Sequence, residues 1–228
     1  METLYSLTND KYIQVNYNSG TSTYAGSYGG SQLFFRGNGR KLDKYRESSG
    51  CGIVAINDVL AYLKGQRVYQ NVEEYKKSFD KAARMTFWIP VKFGLSFIQQ
   101  TFGLWFQMRV YRLPYKNTWC FSRKKIFSRV RRMMENDIPA ILCIPRVHGR
   151  KAKTDVLPFY NSRGDRVNGA NGHFVVVTAI TQDEDTKKLF FEISSWGVKY
   201  YIDYNEYLAF LKHHFNGYLG NIMYIRQR

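Results

Sequence analysis

The sequence predicts an α+β protein in which a helix-rich half precedes a sheet-rich half. Apolar residues recur at helical spacing in several segments between residues 48 and 135, whereas the C-terminal third contains continuous β-branched runs such as GHFVVVTAI. At 228 residues with 44% hydrophobic content, the chain can bury a full core and lies below the size at which one core usually divides. We therefore expect a single domain over residues 1–228, mainly helical at 41–135 and mainly sheet at 136–228.

Residues 1–40 form a separate compositional region, rich in Gly, Ser, Tyr and Asn and with little helical periodicity. This composition suits a hairpin of extended pairs and turns, or a partly mobile arm. The region has an early Glu2 and does not resemble a signal peptide. No stretch of the chain reaches the about 18 apolar residues of a membrane helix. Three cysteines without a CxxC pair argue against a disulfide framework or a thiolate zinc site. We expect a soluble, cytoplasmic protein without a metal or cofactor.

The stretch SSGCGIVAINDVLAYLKG predicts the first helix. Its inward stripe consists of Cys51, Val54, Ala55, Val59, Tyr62 and Leu63. Ser48 or Ser49 is positioned to cap this helix, and Gly65 follows its last turn. A cysteine on the first turn lies where unpaired backbone N–H groups and the helix dipole favour a thiolate, although cysteines at such positions also simply pack in the core.

Further helices and strands follow from the same patterns. NVEEYKKSFDKAARM predicts a helix that begins with a capping-box-like pair, Asn71 and Glu74. After Pro90 a helix through VKFGLSFIQQTFG is expected, followed by a strand in LWFQMRVYRL. SRKKIFSRVRRMMEND predicts a helix capped by Ser122, with one apolar and one basic face. PAILCIP reads as a short buried strand.

His173 begins the strand GHFVVVTAI, and LFFEISSWG is the strand that returns beside it. A further strand and a helix follow in VKYYIDYNEYLAFLKHHF. An imidazole beside a helix-start thiol can take the thiol proton and form a thiolate–imidazolium pair that attacks a carbonyl. The chain therefore presents a cysteine at the start of its helical half and a histidine at the start of a sheet strand.

This order of cysteine, histidine and a polar residue in SSWG resembles that of papain-like cysteine peptidases, whose third member is usually Asn in an NSWG run. SSGCGIVAINDVLAYL resembles the nucleophile helix of the bacteriocin-processing (double-glycine leader peptidase-like) branch, commonly CGP followed by small and apolar residues. GHFVVVTAI resembles its GHxVVVTG strand, and PAILCIP its gxPvil strand. The resemblance covers roughly residues 44–204. It implies a papain-like fold, with an N-terminal nucleophile helix packed on an antiparallel sheet half, and hydrolysis of a peptide or protein substrate through a thioester.

The resemblance makes Cys51 the nucleophile and His173 the general base and later acid, with Trp196 shielding the histidine's hydrogen bond from water. The third position is a serine here. Matching on the Trp-Gly pair selects Ser194, whereas strand alternation points to Ser195. A hydroxyl can orient the ring but offers no negative charge to an imidazolium.

The oxyanion donor departs from the family as well, since the family usually has Gln six residues before the cysteine and this chain has Tyr45. The Tyr45 phenol can donate, as can Ser48 or Ser49. These departures keep open a catalytically weakened papain-fold binding module. An acyltransferase or amidase is a further alternative, because Cys-His chemistry serves any acyl transfer.

The charge balance favours acidic partners, because 34 Lys+Arg against 18 Asp+Glu give a net charge of +16. The basic face of the helix near residue 130 comprises Arg123, Lys124, Lys125, Arg129, Arg131 and Arg132. This face predicts a polyanionic partner or only a solvated surface. A basic nucleic-acid-binding protein is the second reading, although no helix-turn-helix, zinc-finger or RNA-recognition signature is present.

The other histidines and cysteines carry weaker predictions. His148 lies among basic residues and reads as a solvated loop residue. His213 and His214 lie near a helix end, where a dipole contact explains them, and Cys120 and Cys143 read as core residues.

Overall fold

The computed structural model describes residues 1–9, 12–18, 24–37, 39–88, 94–147, 154–214 and 221–228. Its strands are β1 (Glu2–Ser6), β2 (Gln14–Asn18), β3 (Tyr24–Gly26), β4 (Val68–Tyr69), β5 (Tyr115–Cys120), β6 (Ala140–Ile144), β7 (Leu157–Tyr160), β8 (Arg166–Ala170), β9 (His173–Gln182), β10 (Leu189–Ser195), β11 (Val198–Asp203) and β12 (Ile222–Gln227). Its α-helices are α1 (Lys41–Ser49), α2 (Cys51–Leu63), α3 (Val72–Met85), α4 (Phe97–Val110), α5 (Ile126–Glu135) and α6 (Tyr204–His214). The predicted α+β class with an antiparallel sheet is confirmed.

The chain divides into two compact units. The helix-rich unit comprises Lys11–Asn117, Ser195–Val198 and Arg226–Arg228. The sheet-rich unit comprises Met1–Asp10, Thr118–Ser194 and Lys199–Ile225. Strand β1 and helix α5 therefore belong to the sheet-rich unit, although both precede residue 136, where the sequence places the start of the sheet half.

The large sheet has nine strands in the order β5-β12-β6-β9-β10-β11-β7-β8, with β1 added to β9. Strand β9 is central and runs antiparallel to β1, β6 and β10. Val175, Val176 and Val177 are all buried, so both faces of β9 are covered there, as the continuous apolar run predicts. The expected pairing of GHFVVVTAI with LFFEISSWG is confirmed, and a smaller sheet has the order β3-β2-β4.

Helix α2 begins at Cys51 and ends at Leu63, as its periodicity predicts, and Gly65 follows with a positive φ of 81°. The predicted cap is wrong. Gly50 occupies the cap position without a side-chain hydrogen bond, because Ser48 and Ser49 form the end of α1, a polar helix that the sequence does not predict.

Helices α3 and α4 differ in how well the sequence predicts them. The Asn71 side chain accepts from the Glu74 N–H at 2.9 Å, which confirms the cap of α3. The strand expected in LWFQMRVYRL is wrong, because most of this segment continues α4. Ser96 and Gln99 form a capping box that begins the helix upstream, and the apolar positions of the segment fit a helical face equally well. The predicted helix start at Pro90 lies outside the described residues.

Helix α5 buries four of the five residues of its predicted apolar stripe, Ile126, Val130, Met133 and Met134, whereas the fifth, Phe127, is half-buried. Ser122 does not cap it, since a short 3-10 turn at Arg123–Lys125 comes first and Ser122 makes no cap bond. The predicted strand in PAILCIP is β6, which is mostly buried. No helix among the described residues is both long and apolar enough to cross a membrane.

Candidate functional site

Cys51 is the first residue of α2 and is 8% exposed. The Gly50 carbonyl accepts from the N–H groups of Ile53 and Val54, both at 3.0 Å, and so closes the first turn behind the thiol. Helix α4 approaches this turn closely, because a Cβ on Gly52 would lie 2.8 Å from the Gln100 Nε2. The thiol therefore lies on a helix start whose position is fixed by packing within the helix-rich unit.

His173 is the first residue of β9 and is 7% exposed. Within the sheet-rich unit it is aligned with Ile144 of β6. Burial lowers the pKa of His173 to about 4, so the imidazole is neutral at pH 7. Cys51 and His173 belong to different units, and their pairing stays a prediction.

Strand register bears on the choice between the two serines. Ser194 is aligned with Val176, three positions along β9 from His173. Aligned residues share a face and successive residues alternate, so the Ser194 and His173 side chains leave opposite faces of the sheet. The register therefore does not support Ser194 as the residue that orients His173. Ser195, the last residue of β10, alternates to the other face from Ser194.

Trp196 and Gly197 form the tight turn between β10 and β11. Both have positive φ, 51° and 77°, as a two-residue type I′ hairpin requires. The Gly197 carbonyl accepts from the Tyr28 N–H at 2.8 Å, which joins this turn to the N-terminal segment of the helix-rich unit. Trp196 is half-buried. The SSWG run thus forms the turn between two strands. That Trp196 shields a hydrogen bond of His173 from water stays a prediction.

The residues named as oxyanion donors all lie on α1. Tyr45 is half-buried, and its carbonyl accepts from the Ser48 hydroxyl at 3.5 Å. The Ser48 and Ser49 hydroxyls lie 3.3 Å apart. Helix α1 is anchored to α3 by an ion pair between Arg46 and Asp80 at 2.7 Å. Which of the three hydroxyls donates to an oxyanion stays a prediction.

The sequence does not predict a buried cluster around the carboxyl of Asp58 in the helix-rich unit. Asp58, on α2, accepts from the Gly30 N–H at 2.7 Å and from the Tyr75 hydroxyl at 2.9 Å. Burial raises the pKa of Asp58 to about 7, while these two hydrogen bonds offset part of the increase. A Cβ on Gly30 would overlap the Tyr75 hydroxyl, so only glycine fits there. The available signal was an acidic residue within the otherwise apolar helix CGIVAINDVLAYL.

The remaining histidines and cysteines have ordinary surroundings where the structure describes them. The Nε2 of His214 lies 2.9 Å from the Asp155 carboxylate, and His148 lies outside the described residues. All three cysteines are thiols, with Cys120 buried and Cys143 half-buried. Across the described ranges no group of three or more His, Cys, Asp or Glu side chains is arranged to hold a metal ion.

The basic face of α5 is a second candidate site, in the sheet-rich unit. The Arg129 guanidinium lies over the Tyr224 ring at 5.1 Å, and Arg131 lies over Tyr5 at the same distance. Arg131 also pairs with Glu135 at 2.8 Å. Each of these guanidinium groups thus packs on a tyrosine ring, and because Tyr224 is itself buried, this surface offers positive charge to an anion rather than a ring on which a base could stack.

Comparisons of this chain with protein-family models, with curated proteins and with solved structures found no match.

Proposed function

We propose that the protein is a cysteine peptidase or a related thiol acyl-transfer enzyme of papain-like fold, with Cys51 as the nucleophile and His173 as the base. One observation carries the proposal: a buried thiol on the first residue of α2 precedes, in the chain, a buried imidazole on the first residue of central strand β9. This is the chain order and the element order of papain-like peptidases.

The protonation state of His173 defines the starting point of the reaction. Its lowered pKa leaves a neutral imidazole, which can accept a proton at pH 7. The same burial opposes the thiolate–imidazolium pair expected from the sequence, because a charged group loses its hydration when it is buried. The ground state in this proposal is therefore a neutral thiol beside a neutral imidazole.

Acyl transfer then proceeds in two steps. Cys51 Sγ adds to the carbonyl carbon of the scissile bond as its proton moves to His173, and His173 gives that proton to the leaving amine when the C–N bond breaks. Water attacks the resulting thioester while His173 takes a proton from it. The C–S bond breaks, the acid product departs, and the proton returns to Cys51. Water is the only co-reactant.

A short crosslink tests the pairing without any knowledge of the substrate. In a background with Cys120→Ser and Cys143→Ser, the variant His173→Cys is treated with a bifunctional thiol reagent only a few bonds long. We expect an intramolecular bridge between Cys51 and position 173, read by mass spectrometry after digestion. The matched control is Phe174→Cys, because that side chain leaves the opposite face of β9. Absence of a bridge at 173, or equal bridging at 174, would contradict the dyad.

A second candidate function, polyanion binding, is supported by the basic residues of α5 and of the turn before it. Binding through this face should weaken steeply with salt, because each neutralised phosphate releases counterions. The test measures binding of single-stranded DNA at rising salt for the wild type and for Arg129→Gln/Arg132→Gln. We expect the variant to bind more weakly and with a shallower salt slope. If the salt dependence of binding is unchanged in the variant, this face is only a solvated surface.

A further inference from the structure

A pocket of about 290 Å³ lies within the helix-rich unit, between α2, α3 and α4. Its size is near the lower end of the roughly 300–1,000 Å³ typical of ligand sites, so it suits a small ligand. It belongs neither to the proposed catalytic residues nor to the basic face of α5.

Positive charge predominates among the residues that line this pocket. Three lysines, Lys64, Lys77 and Lys81, line it together with one carboxylate, Glu74. The Glu74 carboxylate already accepts from the Gln70 N–H at 2.7 Å. Among the residues that the structure describes, none of the three lysines has a carboxylate within ion-pair distance.

One aromatic ring lies close to two of these ammonium groups. The Lys64 Nζ lies 4.6 Å from the centroid of the Tyr111 ring, and the Lys81 Nζ lies 5.1 Å from the same centroid. The ring attracts each ammonium group, but it leaves their mutual repulsion uncompensated. Lys77 is one helical turn from Lys81 on α3 and adds to that repulsion. An anion placed among the three groups removes it.

The floor of the pocket is polar. The Ser78 hydroxyl donates to the Asn57 side chain at 2.7 Å, and the buried residues Asn57 and Gln107 also line the pocket. Their amide nitrogens already donate within the protein, to the Tyr69 hydroxyl at 3.4 Å and to the Thr86 hydroxyl at 3.0 Å. The lysine ammonium groups are therefore the donors that an oxyanion would accept from. The attraction of the α2 C-terminus for a cation explains Lys64 alone, because Lys77 and Lys81 lie within α3.

From these observations we infer that the pocket binds a small phosphate or phosphate monoester through Lys64, Lys77 and Lys81. Lysine binds phosphate as a compact point charge, and the three lysines with the one carboxylate of Glu74 leave a net charge of +2, equal and opposite to that of a dianion. The ligand is held within one unit, so binding does not depend on the proposed Cys51 chemistry.

The test is calorimetric titration of the whole chain at low ionic strength with inorganic phosphate, with glycerol 3-phosphate and with uncharged glycerol. We expect saturable binding of the phosphates and none of glycerol, and the tighter of the two phosphates identifies a free or an esterified ligand. Lys64→Gln/Lys81→Gln should weaken binding about tenfold or more. The matched control is Lys41→Gln/Lys44→Gln, which removes the same charge from exposed positions of α1 and should change the affinity less than about twofold.

Two further outcomes complete the test. Tyr111→Phe keeps the ring that gathers the ammonium groups and should retain binding, whereas Tyr111→Leu should weaken it. The inference is overturned if the wild type shows no saturable binding, or if the pocket variant and the control lose affinity equally, since the effect is then one of net charge alone.

Discussion

Helix α2 and strand β9 each begin with a proposed catalytic residue, and each contains a buried titratable group, but burial acts on these two groups with opposite sign. Asp58 of α2 has its pKa raised to about 7, and His173 of β9 has its pKa lowered to about 4. Both shifts favour the neutral form, because a buried charge loses its hydration. Protonation is thus linked to stability in opposite directions in the two units.

Burial is the main cause of both pKa shifts, but two hydrogen bonds oppose it at Asp58. Asp58 accepts two hydrogen bonds that favour its charged form, so burial raises its pKa only to about 7. For His173, burial is the cause of the shift. A base that is neutral throughout the physiological range can serve proton transfer, whereas a carboxyl that titrates near pH 7 makes the helix-rich unit sensitive to pH.

The largest expected effect on a reaction rate tests the proposed role of the β9 histidine. Cys51 should be alkylated by a peptidyl chloromethyl ketone faster than Cys143, and His173→Ala should slow Cys51 alkylation by about 10² or more, because general-base assistance is lost. Mass spectrometry of each cysteine peptide measures the rates. Cys143, half-buried in β6, is the internal control. If Cys51 reacts no faster than Cys143, and His173→Ala changes neither rate, the enzyme proposal loses its main support.

Asp58→Asn should expose the pH dependence of the helix-rich unit. A carboxyl whose folded pKa is about 7, against about 4 when unfolded, stabilises the fold below pH 4 and loses that contribution as the pH rises to 7. The loss is roughly 4 kcal/mol at most. The Asn amide can accept from Gly30 and donate to Tyr75, so the variant should be more stable than the wild type at pH 8. Urea unfolding at pH 5 and pH 8 measures the difference. A variant less stable at both values would contradict the assigned pKa.

His173→Gln should reveal the opposite dependence in the sheet-rich unit. A histidine with a folded pKa of about 4, against about 6.5 when unfolded, contributes stability above pH 6.5 and loses it as the pH falls towards 4. The loss is roughly 3 kcal/mol. In the wild type this loss overlaps the gain from Asp58, so the two partly cancel. Urea unfolding of His173→Gln should therefore show stability rising as the pH falls from 6.5 to 4, and a decrease would contradict the opposite pH dependences of the two units.

Local patterns predicted the two element starts well and the buried polar contacts poorly. Cys51 and His173 begin their elements as expected, because apolar periodicity and β-branched runs are local signals. The Asp58 cluster joins residues 28 and 17 positions away in the chain, and no local pattern encodes such pairings.

The failures have equally specific causes. The segment LWFQMRV was misassigned because apolar residues in it suit both periods, while the deciding capping box lies upstream at Ser96. Helix α1 was missed because its sequence is mostly polar and carries no clear apolar stripe. The sequence does not predict the lysine pocket, because its three lysines come together only when α2 and α3 pack. The Tyr111 ring is contributed by the end of α4.

The smallest expected effect concerns the two serines at the end of β10. Register turns Ser194 away from the face of His173, and strand alternation therefore predicts that Ser195 is the serine that would orient the ring. A neutral hydroxyl stabilises an imidazolium less than a carboxylate does, so Ser195→Ala should slow Cys51 alkylation only about tenfold and shift its pH profile, while Ser194→Ala should do neither. Ser195→Asn should retain or raise the rate, because its amide oxygen accepts from the same ring N–H.

Both serines are about equally buried, so a loss of packing should affect the two alanine variants alike. If only Ser194→Ala slows Cys51 alkylation, Ser194 takes the position of Asn in the NSWG run. Strand twist at the end of β10 would then outweigh simple alternation.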